Sequence, residues 1–343
     1  MINSSSEHRS PNPFDSIKLA NKLHGAIYTQ LISVAAELGI ADFLATGGKS
    51  VQALAEATGT IESRLYRILR VLTTIGIFAE TSPRHFELTD LADPLRKDSP
   101  YSVRSLALML GSEWHSRAWA NISYSLKNNA SAFDGIYHQN FFDYLKERPK
   151  EEAIFNETMT SQSHKQALAI CQAYDFSNAT TIIDIGGGHG LLLSQILGRT
   201  PGIEGILFDQ QSTVQAVSVI PELKDRMRTE AGSFFEGVPK GGDIYILKHI
   251  IHDYDDDYAV EILQNCRAAM HPKSRVLIVD LVLNQSTATF LRTWTDLEMM
   301  VLLNGKERTE GEFCDLFNSA GLKLEKIIPT KSDISILECT LQK

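Results

Sequence analysis

The segment Leu247-Lys-His-Ile-Ile-His-Asp-Tyr254 places a histidine, His252, four residues beyond a lysine, Lys248. Imidazole has an ordinary pKa of about 6.5, which makes it the side chain best suited to taking a proton near neutral pH. A lone histidine can equally be a satisfied structural residue, and a base needs a carboxylate to hold its tautomer and stabilise the imidazolium. Carboxylates are available for that work: Asp280 ends an apolar run at 276–280, and Glu307 and Glu310 lie in Gly305-Lys-Glu-Arg-Thr-Glu310. Taken singly, each also fits a surface or capping residue. A second group of residues suits a nucleoside. In Thr181-Ile-Ile-Asp-Ile-Gly-Gly-Gly-His-Gly190 an apolar run gives way to glycines, which supply positive φ and let a ligand approach the backbone. Asp209 stands nineteen residues after Gly190, where a carboxylate can take both hydroxyls of a ribose or, alternatively, cap a helix from Gln210 onward. Ser233 and Phe234 can flank an adenine, although Phe234 fits a core position as well. Asp255-Asp-Asp257 reads most simply as a helix start; a metal reading of that acidic run lacks a second ligand cluster.

Residues from distant parts of the chain act together only if the fold brings them to one rim. From residue 181 onward, strand-like runs at 181–185, 205–209, 228–231, 243–247 and 276–280 alternate with helical segments at 191–197, 214–219 and 257–270. This pattern predicts a doubly wound α/β sheet, in which ligands lie beyond the carboxyl ends of the strands. The glycine run, Asp209, Lys248, His252 and Asp280 all fall there. Residues 322–329 and 334–341 read as an antiparallel hairpin added to the sheet edge, with its turn at Thr330-Lys-Ser-Asp333. Thr309 can cap a helix over 311–320. The glycine spacing is G-x-G-x-G. A nicotinamide fingerprint requires G-x-G-x-x-G/A, and three residues after Gly188 stands Leu191.

The first hundred residues follow a different pattern. Apolar positions at helical spacing run through 21–44 until Gly39 stops or kinks the helix. Ser50 can cap a helix at 51–57 and Thr60 a second, in which Leu65, Ile68, Leu69 and Leu72 form one stripe. Residues 77–80 and 85–88 read as a hairpin, completing a winged-helix arrangement. A DNA-binding regulator is one reading of that arrangement, because Arg64, Arg67 and Arg70 line the second helix. Residues 1–100 hold ten Lys/Arg against eleven Asp/Glu, however, and the whole chain carries a formal charge of −9. Neither suits a phosphate backbone. At 343 residues the chain fits two domains. No apolar run reaches the roughly 18 residues of a membrane span, and four scattered cysteines with no C-x-x-C pair argue against a zinc site or a disulfide framework. These features predict a cytoplasmic protein with a disordered tail at 1–13, a winged-helix-like domain at 14–105, connecting helices at 106–174 and a catalytic domain at 175–343.

With these segments in order, the chain resembles the S-adenosylmethionine-dependent O-methyltransferases of the plant caffeic-acid and bacterial polyketide-tailoring type. The resemblance rests on the winged-helix region at 20–100, Phe141-Phe-Asp-Tyr-Leu145, Phe155-Asn-x-x-Met159, Asp184-Ile-Gly-Gly-Gly-His-Gly190, Lys248-x-x-x-His252-Asp253 and Gly305-Lys-Glu-Arg-Thr309. It implies a methyltransferase sheet of Rossmann type behind a dimerisation domain. It also implies S-adenosylmethionine as donor, S-adenosylhomocysteine as product, no metal, and a homodimer formed through the N-terminal domain. Gly186, Gly188, Asp209, Ser233, Phe234 and Lys248 would bind the donor. His252 would be the general base, flanked by Asp280 and Glu307, and Phe155, Met159, Met299 and Leu303 would meet a small aromatic or enolic acceptor. Three positions depart from the plant pattern. Ser233 replaces an aspartate, His249 a tryptophan, and Asp280 a glutamate. Some members of this family bind the donor and perform hydroxylation or cyclisation instead, so a non-methylating homologue is the alternative.

Overall fold

The structure, a computed structural model, describes residues 13–284 and 289–342. The tail expected at 1–13 lies outside the described residues except for Pro13, which opens the first helix. Two compact units divide at Ser116/Arg117, further along the chain than the boundary expected at 105.

The first unit contains helices α1 (Pro13–Leu23), α2 (Gly25–Glu37), α3 (Ile40–Leu44), α4 (Val51–Thr58), α5 (Glu62–Thr74) and α6 (Arg104–Gly111), together with strands β1 (Lys49–Ser50), β2 (Phe78–Ser82) and β3 (His85–Leu88). Gly39 breaks the long apolar segment at φ 68°, and a second break at His24 divides it further. Ser50 caps α4 by accepting from the amide of Ala53. The cap expected at Thr60 is not made. Ile61 holds the N-cap position of α5, and the Thr60 hydroxyl pairs with that of Thr58 at 2.9 Å, because the local hydroxyl pair competes with the helix end for the same group. The hairpin gains a third strand, in the order β1-β3-β2. Leu54, Leu65, Leu69, Leu72, Phe78 and Phe86 fill the core beneath it.

In the second unit, α7 (Glu113–Ala120, within which the division falls), α8 (Ile122–Ser125), α9 (Ala132–Tyr137), α10 (Phe141–Lys146) and the 25-residue α11 (Pro149–Ala173) precede the sheet. The strands are β4 (Thr181–Ile185), β5 (Glu204–Asp209), β6 (Met227–Ala231), β7 (Ile244–Lys248), β8 (Arg275–Asp280), β11 (Leu322–Pro329) and β12 (Ser335–Leu341), in the order β11-β12-β8-β7-β4-β5-β6. Helices α12 (Leu191–Arg199), α13 (Gln211–Ala216), α14 (Asp256–Ala269), α15 (Phe290–Leu302) and α16 (Glu310–Ser319) alternate with them. The helix expected at 214–219 lies earlier, as α13. Pairing is parallel from β6 to β8 and antiparallel at β12 and β11. At the centre of the sheet both faces are buried, so residues of opposite parity in β4, β7 and β8 enter different cores. Ile183, Ile185, Tyr245 and Leu247 pack with α14 and α16, while Ile182, Ile246, Leu277 and Val279 pack with α12 and the end of α11. This two-sided burial accounts for near-continuous apolar runs. A short parallel pair, β9 (Val282–Leu283) with β10 (Arg308–Thr309), joins the segment after β8 to the segment before α16.

Candidate active site

Strand β4 ends at Ile185 and the chain turns through Gly186, Gly188 and Gly190, at φ 65°, 59° and 75°. L-residues seldom adopt such angles. A side chain at Gly186 would also strike Ile250, whereas at Gly188 nothing lies within 4 Å of an added Cβ. The backbone at Gly188 therefore faces open space, as close approach of a ligand requires. The amide of Gly188 donates to Asp209 Oδ2 at 2.8 Å, and that of Gln210 donates to Oδ1 at 2.7 Å. The carboxylate is thus fixed at the end of β5, and burial raises its pKa against those two bonds. Gln210, not Asp209, is the N-cap residue of α13, and it makes no side-chain cap. Phe234 follows β6 and approaches the position a Gly186 side chain would occupy. It belongs to a ring cluster with Phe235 and Tyr254, at centroid distances of 4.9 and 5.9 Å. The Ser233 hydroxyl accepts from the amide of Phe235. Lys248 ends β7, and its Nζ donates to Ser163 at 3.1 Å. Burial lowers the Lys248 pKa, opposed by the charges of Asp184, Asp280 and Asp333, and burial raises Asp184 to about 7.

His252 lies in the short 3-10 turn Ile251–Asp253 directly after this strand, and its residue is 7% exposed. Nδ1 donates to Glu307 Oε1 at 2.8 Å, and Nε2 lies 3.3 Å from Asp253 Oδ1. Burial disfavours the charged imidazole, but Glu307, Asp280 and Asp253 outweigh it and raise His252 to about 10. Burial also raises Asp253 to about 7 and Asp280 to about 6. Glu307 is the hydrogen-bonded partner. Asp280 instead accepts from the backbone amide of His249 at 3.1 Å and acts on His252 through its charge.

His249, which stood out only as a departure from the plant pattern, stacks on His252 at 4.9 Å and 24°. Gln166 turns its amide nitrogen to Asp333 and its oxygen to His249 Nε2, at 3.4 and 3.0 Å. This assigns the proton to Nε2 and leaves a lone pair on Nδ1. Burial, Lys248 and His252 hold His249 well below its ordinary pKa. His249, His252 and Asp280 offer ligand atoms within 4.8 Å of one another. One nitrogen of each ring is already hydrogen-bonded, and His249 Nδ1 lies 3.6 Å from Asp280 Oδ1.

A cavity of about 340 Å³ opens beside Asp253, lined by Phe141, Phe142, Phe235, Tyr254, Tyr258 and Leu303 among others. Of the residues expected to meet an acceptor, Leu303 lies on its wall. Phe155 packs on the wall rings Phe141 and Phe142 at 5.2 and 6.3 Å. Met159 and Met299 are half-buried on α11 and α15 and are not among its lining residues.

A seven-stranded methyltransferase-type sheet with a glycine turn, a strand-end carboxylate and a buried histidine base candidate defines a class I methyltransferase. Residues 119–323 match the O-methyltransferase domain, and residues 21–98 match the O-methyltransferase dimerisation domain. The chain belongs to this O-methyltransferase family, so its winged-helix unit is a dimerisation domain and the regulator reading falls. It is 43% identical to the phenazine O-methyltransferase PhzM of Lysobacter antibioticus over 95% of this chain and 96% of that protein. The mitomycin 7-O-methyltransferase MmcR has a TM-score of 0.91 at 35% identity, covering 96% of this chain and 98% of MmcR. NcsB1, solved with S-adenosylmethionine and 2-hydroxy-5-methyl naphthoic acid, has a TM-score of 0.81 at 29% identity, covering 92% and 96% of the two chains.

Proposed function

We propose that this enzyme methylates a hydroxyl of a small fused-ring or substituted aromatic acceptor, with S-adenosylmethionine as donor and His252 as general base. The observation that carries the reading is the His252–Glu307 hydrogen bond of 2.8 Å, at the sheet rim that also presents the open Gly188 backbone and Asp209. Asp209 suits the ribose hydroxyls, Gly186 and Gly188 the methionyl portion, Ser233 and Phe234 the adenine edge, and Lys248 a polar group of the donor. When bound, the donor supplies an electrophilic methyl carbon.

The residues of the chain perform the rest of the work. His252, oriented by Glu307, takes the hydroxyl proton at Nε2, the face that Asp253 covers in this structure. Deprotonation matters because a phenol with a pKa of about 10 is almost wholly protonated at neutral pH, and a positioned base contributes about 10² to 10⁴-fold. Leu303 and the aromatic walls hold the acceptor ring and exclude water, Phe155 backs those walls, and Met159 and Met299 stand on the helices α11 and α15. Along the chain a dimerising domain at 14–105 is followed by connecting helices at 106–174, of which α10 gives Phe141 and Phe142 to the acceptor cleft, and by the donor-binding domain at 175–343. The named relatives, which act on phenazine, mitomycin and 3-amino-4-hydroxybenzoate, support an aromatic acceptor and give no support to hydroxylation or cyclisation. Four free cysteines favour the cytoplasm, and no described helix is long and apolar enough to cross a membrane. The test is incubation with methyl-labelled donor and a panel of hydroxyphenazines, hydroxyquinones and aminohydroxybenzoates. We expect labelled O-methyl product from the parent and a loss of at least about 100-fold in His252→Gln, with unchanged affinity for S-adenosylhomocysteine. Parent-like methylation by that variant would refute the base.

A further inference from the structure

We propose that Arg308 is a positioning residue for the reaction, a buried guanidinium that fastens the base, its carboxylate partner and the Asp280 segment into one unit. The proposal rests on the reading of His252 as base. The two members of the His252–Glu307 pair lie on separate loops, one after β7 and one before α16, so their hydrogen bond alone does not set the loops in register. Arg308 is fully buried. Its Nη1 donates to the carbonyl of Ile251 and its Nη2 to that of Tyr254, both at 2.9 Å. These carbonyls bracket the turn that carries His252; that of Tyr254 lies just past its end, and that of Ile251 also accepts from the Tyr254 amide at 3.4 Å. Nε and Nη2 also donate to Asp256 Oδ1 at 3.0 and 2.8 Å, which pairs the buried charge.

Arg308 immediately follows Glu307, and as part of β10 it is in register with Val282 of β9, two residues beyond Asp280. Two features of the neighbouring backbone act in the same sense. The amide of Lys306 donates to the carbonyl of His252 at 2.9 Å, and a side chain at Gly305 would collide with that same carbonyl. The planar fork makes four bonds here from three separate nitrogens, to two diverging carbonyls and a carboxylate, whereas an ammonium has three donors on a single atom.

The test compares the parent with Arg308→Met, Arg308→Lys and Asp256→Asn by ¹⁵N-histidine NMR, by S-adenosylhomocysteine calorimetry and by turnover on the acceptor found above. We expect a downfield Nδ1 proton of His252 in the parent, assigned by its loss in His252→Gln, and its broadening or loss in the Arg308 variants. Donor-product affinity should stay within about 2-fold while kcat falls about 10- to 100-fold with little change in KM. Guanidinium ion, but not ammonium, should restore part of the rate in Arg308→Gly. An unchanged proton signal and rate in Arg308→Met would overturn the proposal, and so would parallel loss of affinity, melting temperature and rate. If Arg308→Met does not fold, Asp256→Asn decides by the same signal. Failure of His252→Gln to lose activity would instead count against the base, leaving the NMR comparison to judge Arg308.

Discussion

At the scale of single residues, the imidazole of His252 is the group whose charge matters most. Its raised pKa of about 10 makes it an imidazolium at neutral pH in the ligand-free protein. The stability conferred by Glu307 on that cation is present in full below the ordinary value of about 6.5 and is lost as pH rises through about 10. Glu307→Gln should therefore lower stability by about 2 kcal/mol at pH 6 and by much less above pH 10, as measured by urea denaturation at both values. A base must start neutral, and a like charge nearby favours neutrality. Binding of the cationic donor should accordingly lower the His252 pKa by more than binding of S-adenosylhomocysteine, which lacks the sulfonium charge, and histidine NMR titration would register the difference; equal shifts would place the sulfonium elsewhere. The structure brings His252, Asp280 and Glu307 together; the first two stand out in the sequence as a loop after a strand and a strand end, and Glu307 only through the family resemblance. The division of labour between the carboxylates was not legible, since nothing in spacing says that Asp280 accepts from the His249 amide. The roles of Gln166, Asp253 and Arg308 were hidden for the same reason: each depends on a tertiary contact.

At the scale of elements, the central strands β4, β5, β7 and β8 were readable to within a residue because they are buried on both faces and long enough to carry an apolar signal, whereas β6 and β11 at the sheet edges are largely exposed and carry a weaker one. The two-residue strands β1, β9 and β10 carry none, and they were missed. Among caps, Thr309 was legible and Thr60 was not. Thr309 forms a full capping box with Glu312, its hydroxyl accepting from the Glu312 amide at 3.3 Å while the Glu312 carboxylate accepts from the Thr309 amide at 2.8 Å. Thr309→Ala should cost about 1 kcal/mol in chemical denaturation, with donor-product affinity retained, because α16 supports the sheet from one face and contributes no residue to the proposed donor site. A loss of affinity matching the loss of stability would indicate that the start of α16 governs the site directly.

At the scale of the whole molecule, association is the property the sequence only outlined. Phe14, Ile17, Leu19, Leu23 and Ile27 are 67, 59, 59, 74 and 54% exposed in the single chain, and a run of large apolar side chains in α1 and α2 is costly to leave in water. Within a dimerisation domain such a surface fits a second copy. Sedimentation equilibrium should give twice the 38.1 kDa chain mass, and Leu23→Asp combined with Ile27→Asp should shift it to a single chain; a parent that sediments as one chain would refute the homodimer. The strand order has a separate consequence during synthesis. Strand β8 lies between β7 and β12, so on that side Asp280 has no neighbour until Ser335 has left the ribosome. At about 5–20 residues per second that interval lasts several seconds, during which Val276, Ile278 and Val279 form an apolar edge open to a chaperone or to another nascent chain. Slowing translation between residues 281 and 334 would lengthen the exposure, and the yield of this enzyme would then depend on codon choice in a stretch that includes Glu307 and Arg308.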